Sequence, residues 1–397
     1  MQYTKPSRFH YRIAQAASWV VSKAIFHKKV LRNEIRGVDG PFVVIANHQA
    51  ALDFVNLIGA TSRPMHFVIS KSFFTTLPVK GFMKKMGVIP KQQFQTSADD
   101  LKKMKTVIQN GQPVVIYPAG LMCEDGLSTP IPAATYKFLK WLGVDVYVAR
   151  SRGTYFVMPK WAKGLRPGRT YMDIYKLFSQ QELKTLPLEE IQEKTRDALL
   201  FDAYREQDVH PEKYRNNQNI QGLENVLYLC PHCGSEFTMQ VHDGSVITCS
   251  SCGYSQRSDG FGLLHKCSDH GAPVRYVSDW SRLIYRQLKQ ELMKHPETSL
   301  SARADIYMVP AGKGKYQKAG TATVTVNAEG FILDGVLQDA PWQLQIPIGN
   351  LPTLPFSPGK HFEIQDGPQT YRCAPEDGRL VMKFINMVKI FHDMKNS

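Results

Sequence analysis

The run Val43-Val-Ile-Ala-Asn-His-Gln-Ala-Ala-Leu-Asp53-Phe54 changes character in its middle. Apolar, β-favouring residues lead to Asn47 and His48, and an acid follows five positions after the histidine, where a helical pattern begins. On one continuous helix that spacing would turn the two side chains about 140° apart, so His48 meets Asp53 only if the chain turns between them. An imidazole facing a carboxylate has its tautomer fixed: one ring nitrogen donates to the acid and the other is left to take a proton. His48 is therefore read as a general base and Asp53 as the group that orients it.

Outward from this run the pattern repeats. Short β-rich stretches at 42–46, 65–69, 114–117 and 144–149 alternate with helical ones at 52–59, 97–110 and 133–142. In the second of these helices, Ser97 stands at the N-cap, Asp99 and Asp100 in the first turn, and Gly111 just past the end. Strand and helix in alternation argue for an α/β layer fold, with sites on the loops at strand ends. A helical segment at 188–206 closes this region, and Asn216, Asn217, Gln218 and Asn219 read as a polar linker.

The chain has 397 residues, enough for two or three domains, and its 43% hydrophobic and 21% charged content excludes wholesale disorder. Its net charge of +14 points to an anionic partner. Half of that excess lies in residues 1–36, where Lys5, Arg8, Arg12, Lys23, Lys28, Lys29, Arg32 and Arg36 face Glu34 alone. Within this segment Ile13, Ala16, Ala17, Val20, Val21, Ala24 and Ile25 follow helical spacing, with Trp19 beside them. Such a basic amphipathic helix either packs on its own domain or lies at the headgroup level of an anionic bilayer. Residues 13–22 are too few to cross a membrane, and the uncharged run 340–359 holds five prolines, so no spanning segment is expected. A cleaved signal is not expected either, which places the chain in the cytoplasm.

The segment Asn47-His48-x4-Asp53, approached through Arg36-Gly37 and an apolar strand, resembles the signature of the glycerolipid acyltransferases, the glycerol-3-phosphate and 1-acylglycerol-3-phosphate acyltransferases. The resemblance covers roughly the first 215 residues. It implies that His48, oriented by Asp53, deprotonates an acceptor hydroxyl, which then attacks an acyl thioester of coenzyme A or acyl carrier protein. It also implies that Asn47 belongs to the substrate site. The family's second block is similar to Gly87-Val-Ile-Pro-Lys91, with Lys91 in place of an arginine, a point charge without the bidentate fork. The third, normally Phe-Pro-Glu-Gly-Thr-Arg, stands as Tyr117-Pro118-Ala119-Gly120-Leu121-Met122. Its turn is kept while the carboxylate and guanidinium used around the acceptor's phosphate are replaced by Ala119 and Met122. Glu124, Asp125, Arg150 or Arg152 stand nearby as substitutes, and backbone amides around Gly120 are candidates to stabilise an oxyanion. The fourth block matches either 144–149 or 155–159. The departures bear on the acceptor: a lysophospholipid, a glycolipid or an aminolipid all fit.

Four of the seven cysteines fall into two pairs, Cys230-Pro-His-Cys233-Gly234 and Cys249-Ser-Ser-Cys252-Gly253. Two such turns facing each other supply four thiolates to one tetrahedral Zn²⁺, the pattern of a structural zinc ribbon. His232 and His242 are read as surface residues, since four thiolates already close the site. Residues 235–248 contain Glu236 and Asp243 and no Lys or Arg, which argues against nucleic acid as the ribbon's partner. Beyond a helical pattern at 281–294 come strand-like runs at 321–326, 330–333, 343–348, 361–364 and 370–373. A closing helix presents Leu380, Val381, Phe384, Ile385, Val388 and Phe391 on one side. Strands closed by one amphipathic helix resemble a pleckstrin-homology or GRAM-type domain, in which Lys313, Lys315 and Lys318 form a basic loop.

The expected architecture is thus a basic amphipathic helix (1–36), an acyltransferase-type α/β domain (37–215), a zinc ribbon (226–257), a helical linker (258–297) and a β-rich domain with a C-terminal helix (298–397). The expected activity is acyl transfer at the inner face of a bacterial cell membrane. The rival reading is a non-catalytic lipid-binding or scaffold protein with degenerate motifs.

Overall fold

The computed structural model describes residues 5–76, 78–93, 97–310, 314–367 and 369–396. The chain forms two compact units, one of Met1–Pro159 with Gly164–Asn216 and one of Lys160–Lys163 with Asn217–Ser397.

The first unit begins with α1 (Arg8–Ala24), β1 (Lys29–Asn33), β2 (Val43–Ala46), α2 (Asp53–Ile58) and β3 (His66–Ser70). It continues through α3 (Lys71–Thr76), α4 (Lys80–Lys85), β4 (Ile89–Lys91), α5 (Ala98–Gln109), β5 (Val114–Ile116) and α6 (Ala134–Leu142). It ends with β6 (Val146–Arg152), α7 (Thr154–Val157), β7 (Tyr171–Phe178), α8 (Gln180–Thr185), α9 (Leu188–Leu199) and α10 (Ala203–Val209). The strands make one sheet in the order β1-β7-β6-β2-β5-β3-β4, parallel except where β6 meets β7. The central strand β2 is buried on both faces, which is why it reads as an unbroken apolar run. One face carries Met104, Ile108, Leu139 and Ile191 from α5, α6 and α9 over Val43, Ile45, Val114 and Val148. The other carries Tyr11 and Ala14 of α1 and Leu57 and Ile58 of α2 over Val44, Ala46, Val115 and Ala149.

Two features of residues 1–36 depart from expectation. The segment is not separate from the α/β unit, because β1 is an edge strand paired in parallel with β7. And α1 faces the unit with Tyr11, Ala14 and two serines. Ser18 and Ser22 are 4% and 3% exposed, Ser22 Oγ donates to Asn56 Oδ1 (2.9 Å), and Gln15 Nε2 donates to Thr61 O (2.7 Å). Phe9 and Trp19 are 70% and 64% exposed, and Ile13, Ala16, Ala17 and Val20 are turned outward with them.

The second unit holds an antiparallel sheet of β8 (Met239–His242), β9 (Val246–Cys249), β10 (Ser255–Ser258) and β11 (Leu264–Lys266). After α11 (Val277–Lys294) come β12 (Leu300–Met308), β13 (Gln317–Val326), β14 (Gly330–Leu337) and β15 (Ala340–Pro347). Then follow β16 (Phe356–Ser357), β17 (His361–Asp366), β18 (Gln369–Pro375) and α12 (Leu380–Asn396). These last seven strands are antiparallel in the order β15-β14-β13-β12-β18-β17-β16. The sheet curls until Trp342 of β15 meets Tyr371 of β18, ring centroids 4.9 Å apart. A Cβ on Gly335 would stand 2.2 Å from Thr321 O, so close approach of β14 to β13 requires glycine there. Phe384 of α12 fills the curl against Phe331 and Phe362.

The structure redraws three expectations here. Residues 258–297 are no linker: β11 completes the sheet of β8, β9 and β10, and α11 buries Trp280, Ile284, Leu288 and Leu292. The run 216–219 is not simply solvated, since Asn217 is buried and donates to Gly260 O (3.4 Å). Of the basic loop, Lys313 lies outside the described residues and Lys318 pairs with Asp305 (2.7 Å). No helix among the described residues is long and apolar enough to cross a membrane.

Candidate active site and four-cysteine centre

At the end of β2 the chain turns through residues 47–52 before α2, as the spacing of His48 and Asp53 requires. Asp53 is 1% exposed, and its Oδ2 accepts from the amides of Gln49 (2.7 Å) and Ala50 (2.9 Å) and meets His48 Nδ1 at 3.1 Å. A carboxylate only accepts, so the proton of the pair sits on Nδ1 and His48 Nε2 is the basic nitrogen. Asp53 Oδ1 is buried with no hydrogen-bond partner among the described residues. One oxygen thus organises the loop and the imidazole together.

Residues far along the chain hold this loop in place. Asn47 Nδ2 donates to Ser151 O (2.8 Å) and its Oδ1 accepts from Ser151 N (2.8 Å), clasping the loop to the end of β6. Gln49 is fully buried: its Oε1 accepts from Thr154 Oγ1 (3.1 Å) and Tyr155 N (3.2 Å), and its Nε2 donates to Ser151 O (3.1 Å). Cys123 N donates to His48 O (3.3 Å), bringing in the loop after β5. The ring of Tyr117 lies against His48 with centroids 4.5 Å apart and planes at 38°. Burial, reinforced by the charge of Asp53, holds the Tyr117 phenol well above its ordinary pKa, so it is neutral. Burial and the acids Asp125, Glu124 and Asp53 do the same to the buried Cys123 thiol.

Residues 25–158 match the acyltransferase family model. The chain is also 27% identical over 161 residues to a 1-acyl-sn-glycerol-3-phosphate acyltransferase of Chlamydomonas reinhardtii, a stretch covering 39% of this chain and 48% of that relative. The match therefore spans about half the length of the curated relative. Among solved structures, the 1-acyl-sn-glycerophosphate acyltransferase PlsC from Thermotoga maritima superposes with a TM-score of 0.41 at 18% identity. That superposition covers 48% of this chain and 76% of the other.

Within the acyltransferase-type unit, the other expected site residues are dispersed. Asn47 has both ends of its amide on Ser151, which makes it a clasp of the loop rather than a group held out to a substrate. The Gly120 amide, expected near an oxyanion, donates to Tyr117 O (3.0 Å) within its own turn, and its carbonyl accepts from Gln93 Nε2 (2.6 Å). Lys91 ends β4 half-buried, with Nζ donating to Gln92 O (3.0 Å), and burial holds its ammonium below the ordinary lysine pKa. Arg150 pairs with Glu206 of α10 (2.7 Å), and Arg152 lies over the ring of Tyr171 (4.2 Å). The pleat of β6 sends both arginines to the face of Val148 and α9, whereas Ala149 and Ser151 turn to the face carrying α1 and α2. Gln49, Tyr117, Ser151 and Thr154 escaped the sequence reading as parts of the site. Only the neighbouring motifs gave any signal for the first two.

In the second unit, Cys230, Cys233, Cys249 and Cys252 each offer one sulfur, and the four lie within 4.8 Å of one another. Cys230 and Cys252, and likewise Cys233 and Cys249, are 3.8 Å apart, far beyond a disulfide. A tetrahedron with metal–sulfur bonds of about 2.3 Å has edges of about 3.8 Å, so the sulfurs fit one metal ion. Gly234 and Gly253 follow the pairs with φ of +74° and +75°, a left-handed turn that an ordinary side chain resists. Hydroxyls of Ser235 and Thr238 face Cys233 (3.3 Å) and Cys249 (3.2 Å). His232 stacks on Tyr254 instead of joining the cluster. The cysteine-bearing segment is tied to its unit through Trp280 Nε1 on Leu229 O (2.8 Å), Arg379 Nη1 on Phe237 O (2.9 Å) and an ion pair between Lys383 and Glu236.

Proposed function

We propose that the chain is a membrane-associated acyltransferase that moves an acyl group from an acyl thioester, of coenzyme A or acyl carrier protein, to a hydroxyl of a lysophospholipid or related lipid. His48 Nε2 removes the acceptor's proton as that oxygen attacks the thioester carbonyl. The tetrahedral adduct collapses with loss of the thiolate, which takes the proton back from the imidazolium. Asp53 holds the tautomer and stabilises the charged ring. The observation carrying this reading is the convergence of His48 Nδ1 and two backbone amides on Asp53 Oδ2, inside the stretch that matches the family model.

With Ala119 and Met122 in the third block and Arg150 and Arg152 engaged elsewhere, the acceptor is a lipid whose recognition does not depend on a bidentate arginine. Lys91 is the cation retained at that edge of the sheet. The outward apolar side of α1, flanked by Arg8, Arg12 and Lys23, supports attachment to the cytoplasmic face of an anionic membrane. The four-cysteine centre is a structural Zn²⁺ site, and nucleic acid is not among the partners.

The same third-block losses favour a second reading, a lipid-binding protein without turnover. Incubating the full chain with liposomes of mixed lipids and a labelled acyl thioester, beside His48→Ala, separates the two. A lipid product formed by the wild type and lost in His48→Ala is expected. Its absence with both donors, while liposome binding persists, assigns the second reading.

A further inference from the structure

The segment 71–85 combines four lysines with no acid, and neither of its helices buries a residue. Phe73 and Val79 are 43% and 50% exposed, and Lys71, Lys80, Lys84 and Lys85 are exposed beside them. Two short helices that leave apolar side chains uncovered among unopposed cations suit a surface that is greasy within and anionic at its boundary.

Their place in the fold joins them to α1. Ser7 N donates to Lys85 O (2.8 Å), and the His10 ring meets Phe82 of α4 with centroids 5.5 Å apart. From there α1 runs along α2, the helix that Asp53 begins, with Tyr11 Oη donating to Ile58 O (3.5 Å). On the other side α3 leaves directly from the end of β3. Since β3, β5 and β2 are parallel, that is the sheet edge from which Tyr117 and His48 emerge. Both exposed elements therefore border the loop that carries the base.

We infer that α3 and α4 form, together with the outward side of α1, one lipid-facing surface whose occupant is an anionic bilayer. The inference rests on the proposed membrane attachment through α1 and adds a second point of contact. Two contacts fix an orientation that one amphipathic helix leaves free. The His48 edge is then held at the headgroup level, where a lipid acceptor presents its hydroxyl without leaving the bilayer.

The test is co-sedimentation of the full chain with vesicles of phosphatidylcholine and phosphatidylglycerol in equal parts, and with vesicles of phosphatidylcholine alone. At about fivefold per lysine, the variant Lys80→Gln/Lys84→Gln/Lys85→Gln should partition about a hundredfold less onto the mixed vesicles. Phe73→Ser/Val79→Ser should lose partitioning onto both kinds. These positions are on the surface, and an unchanged circular dichroism spectrum checks that the variants fold. If both variants bind like wild type while Trp19→Ser/Val20→Ser does not, α1 docks alone and the inference fails, although membrane attachment stands. If wild type binds neither vesicle, both fail. If wild type binds a soluble polyanion such as heparin as tightly as vesicles, and Phe73→Ser/Val79→Ser leaves vesicle binding intact, the surface serves a soluble anion and the inference is overturned.

Discussion

In the four-cysteine cluster, all four sulfurs come from the stretch between Cys230 and Cys252, and the glycines that shape each turn stand directly after each pair. In the His48 loop, His48 and Asp53 are five residues apart, but Ser151, Thr154, Tyr117 and Cys123 hold their loop from across the sheet. The first cluster is local in sequence; the second has His48 and Asp53 in one short run and its support in another part of the chain. The difference teaches where each is vulnerable. If the four sulfurs hold the proposed ion, their region depends on that one ion, whereas the loop can be weakened through residues that never touch His48 or Asp53.

The largest effect should come from removing the metal. Binding to such sites supplies on the order of 10 kcal/mol, so Cys249→Ser should lose the ion and the cooperative folding of the ribbon. Metal analysis near one zinc per chain in the wild type and none in the variant sharpens the contrast; a variant that keeps both its metal and its melting transition breaks it.

Next comes Asp53→Asn, which keeps the shape of the loop but removes the acceptor that fixes the His48 tautomer. A fall in kcat of about 10⁴ is expected, by analogy with the same change in a serine-protease triad. A fall below tenfold in steady-state assays would mean that Asp53 shapes the loop and nothing more.

Asn47→Ala tests the distant support. It strips the Ser151 N–H of its Asn47 partner and leaves the Ser151 C=O to Gln49 Nε2 alone, and should cost about 1–3 kcal/mol in urea unfolding of the first unit. An unchanged midpoint would show that the clasp is dispensable.

The smallest and most gradual effect concerns His66. Its Nδ1 donates to Gly87 O (2.7 Å), tying the start of β3 to the turn before β4, and burial lowers its pKa to about 4. The unfolded chain takes up this proton first, so stability is full above about pH 6.5 and declines as pH falls towards 4, by up to roughly 3 kcal/mol. Unfolding midpoints at neutral and acid pH check the sign, and His66→Gln should flatten this part of the dependence.

Much of the fold was legible because its signals are short in range. The apolar run of β2, the helix at 98–109 and the pattern of α12 fall within a residue or two of expectation. Among the strands the pattern did not show, two have plain physical reasons. β1 is an exposed edge whose Val30 and Leu31 face solvent, so burial leaves no alternation to read. β12 carries Arg303 and Asp305 between apolar residues and becomes a strand because β13 and β18 pair with it on both sides. At the site, the pairing of His48 with Asp53 followed from spacing, while the partners of Arg150 and Arg152, Glu206 and the ring of Tyr171, did not. Proximity in sequence to a strand end does not say which way the pleat turns a side chain.

The sequence by itself determined the chemistry that neighbouring residues can make: an imidazole with an acid in reach across one turn, four thiolates in two knuckles, and helices with one apolar side. These depend on backbone geometry over a few residues, and that geometry is nearly the same in every protein. Only the tertiary structure decided what each surface faces. Periodicity marks the apolar side of α1 but cannot tell whether the core lies against it. The core took Ser18 and Ser22, whose small side chains let α1 approach α2 closely, and left Phe9 and Trp19 outside.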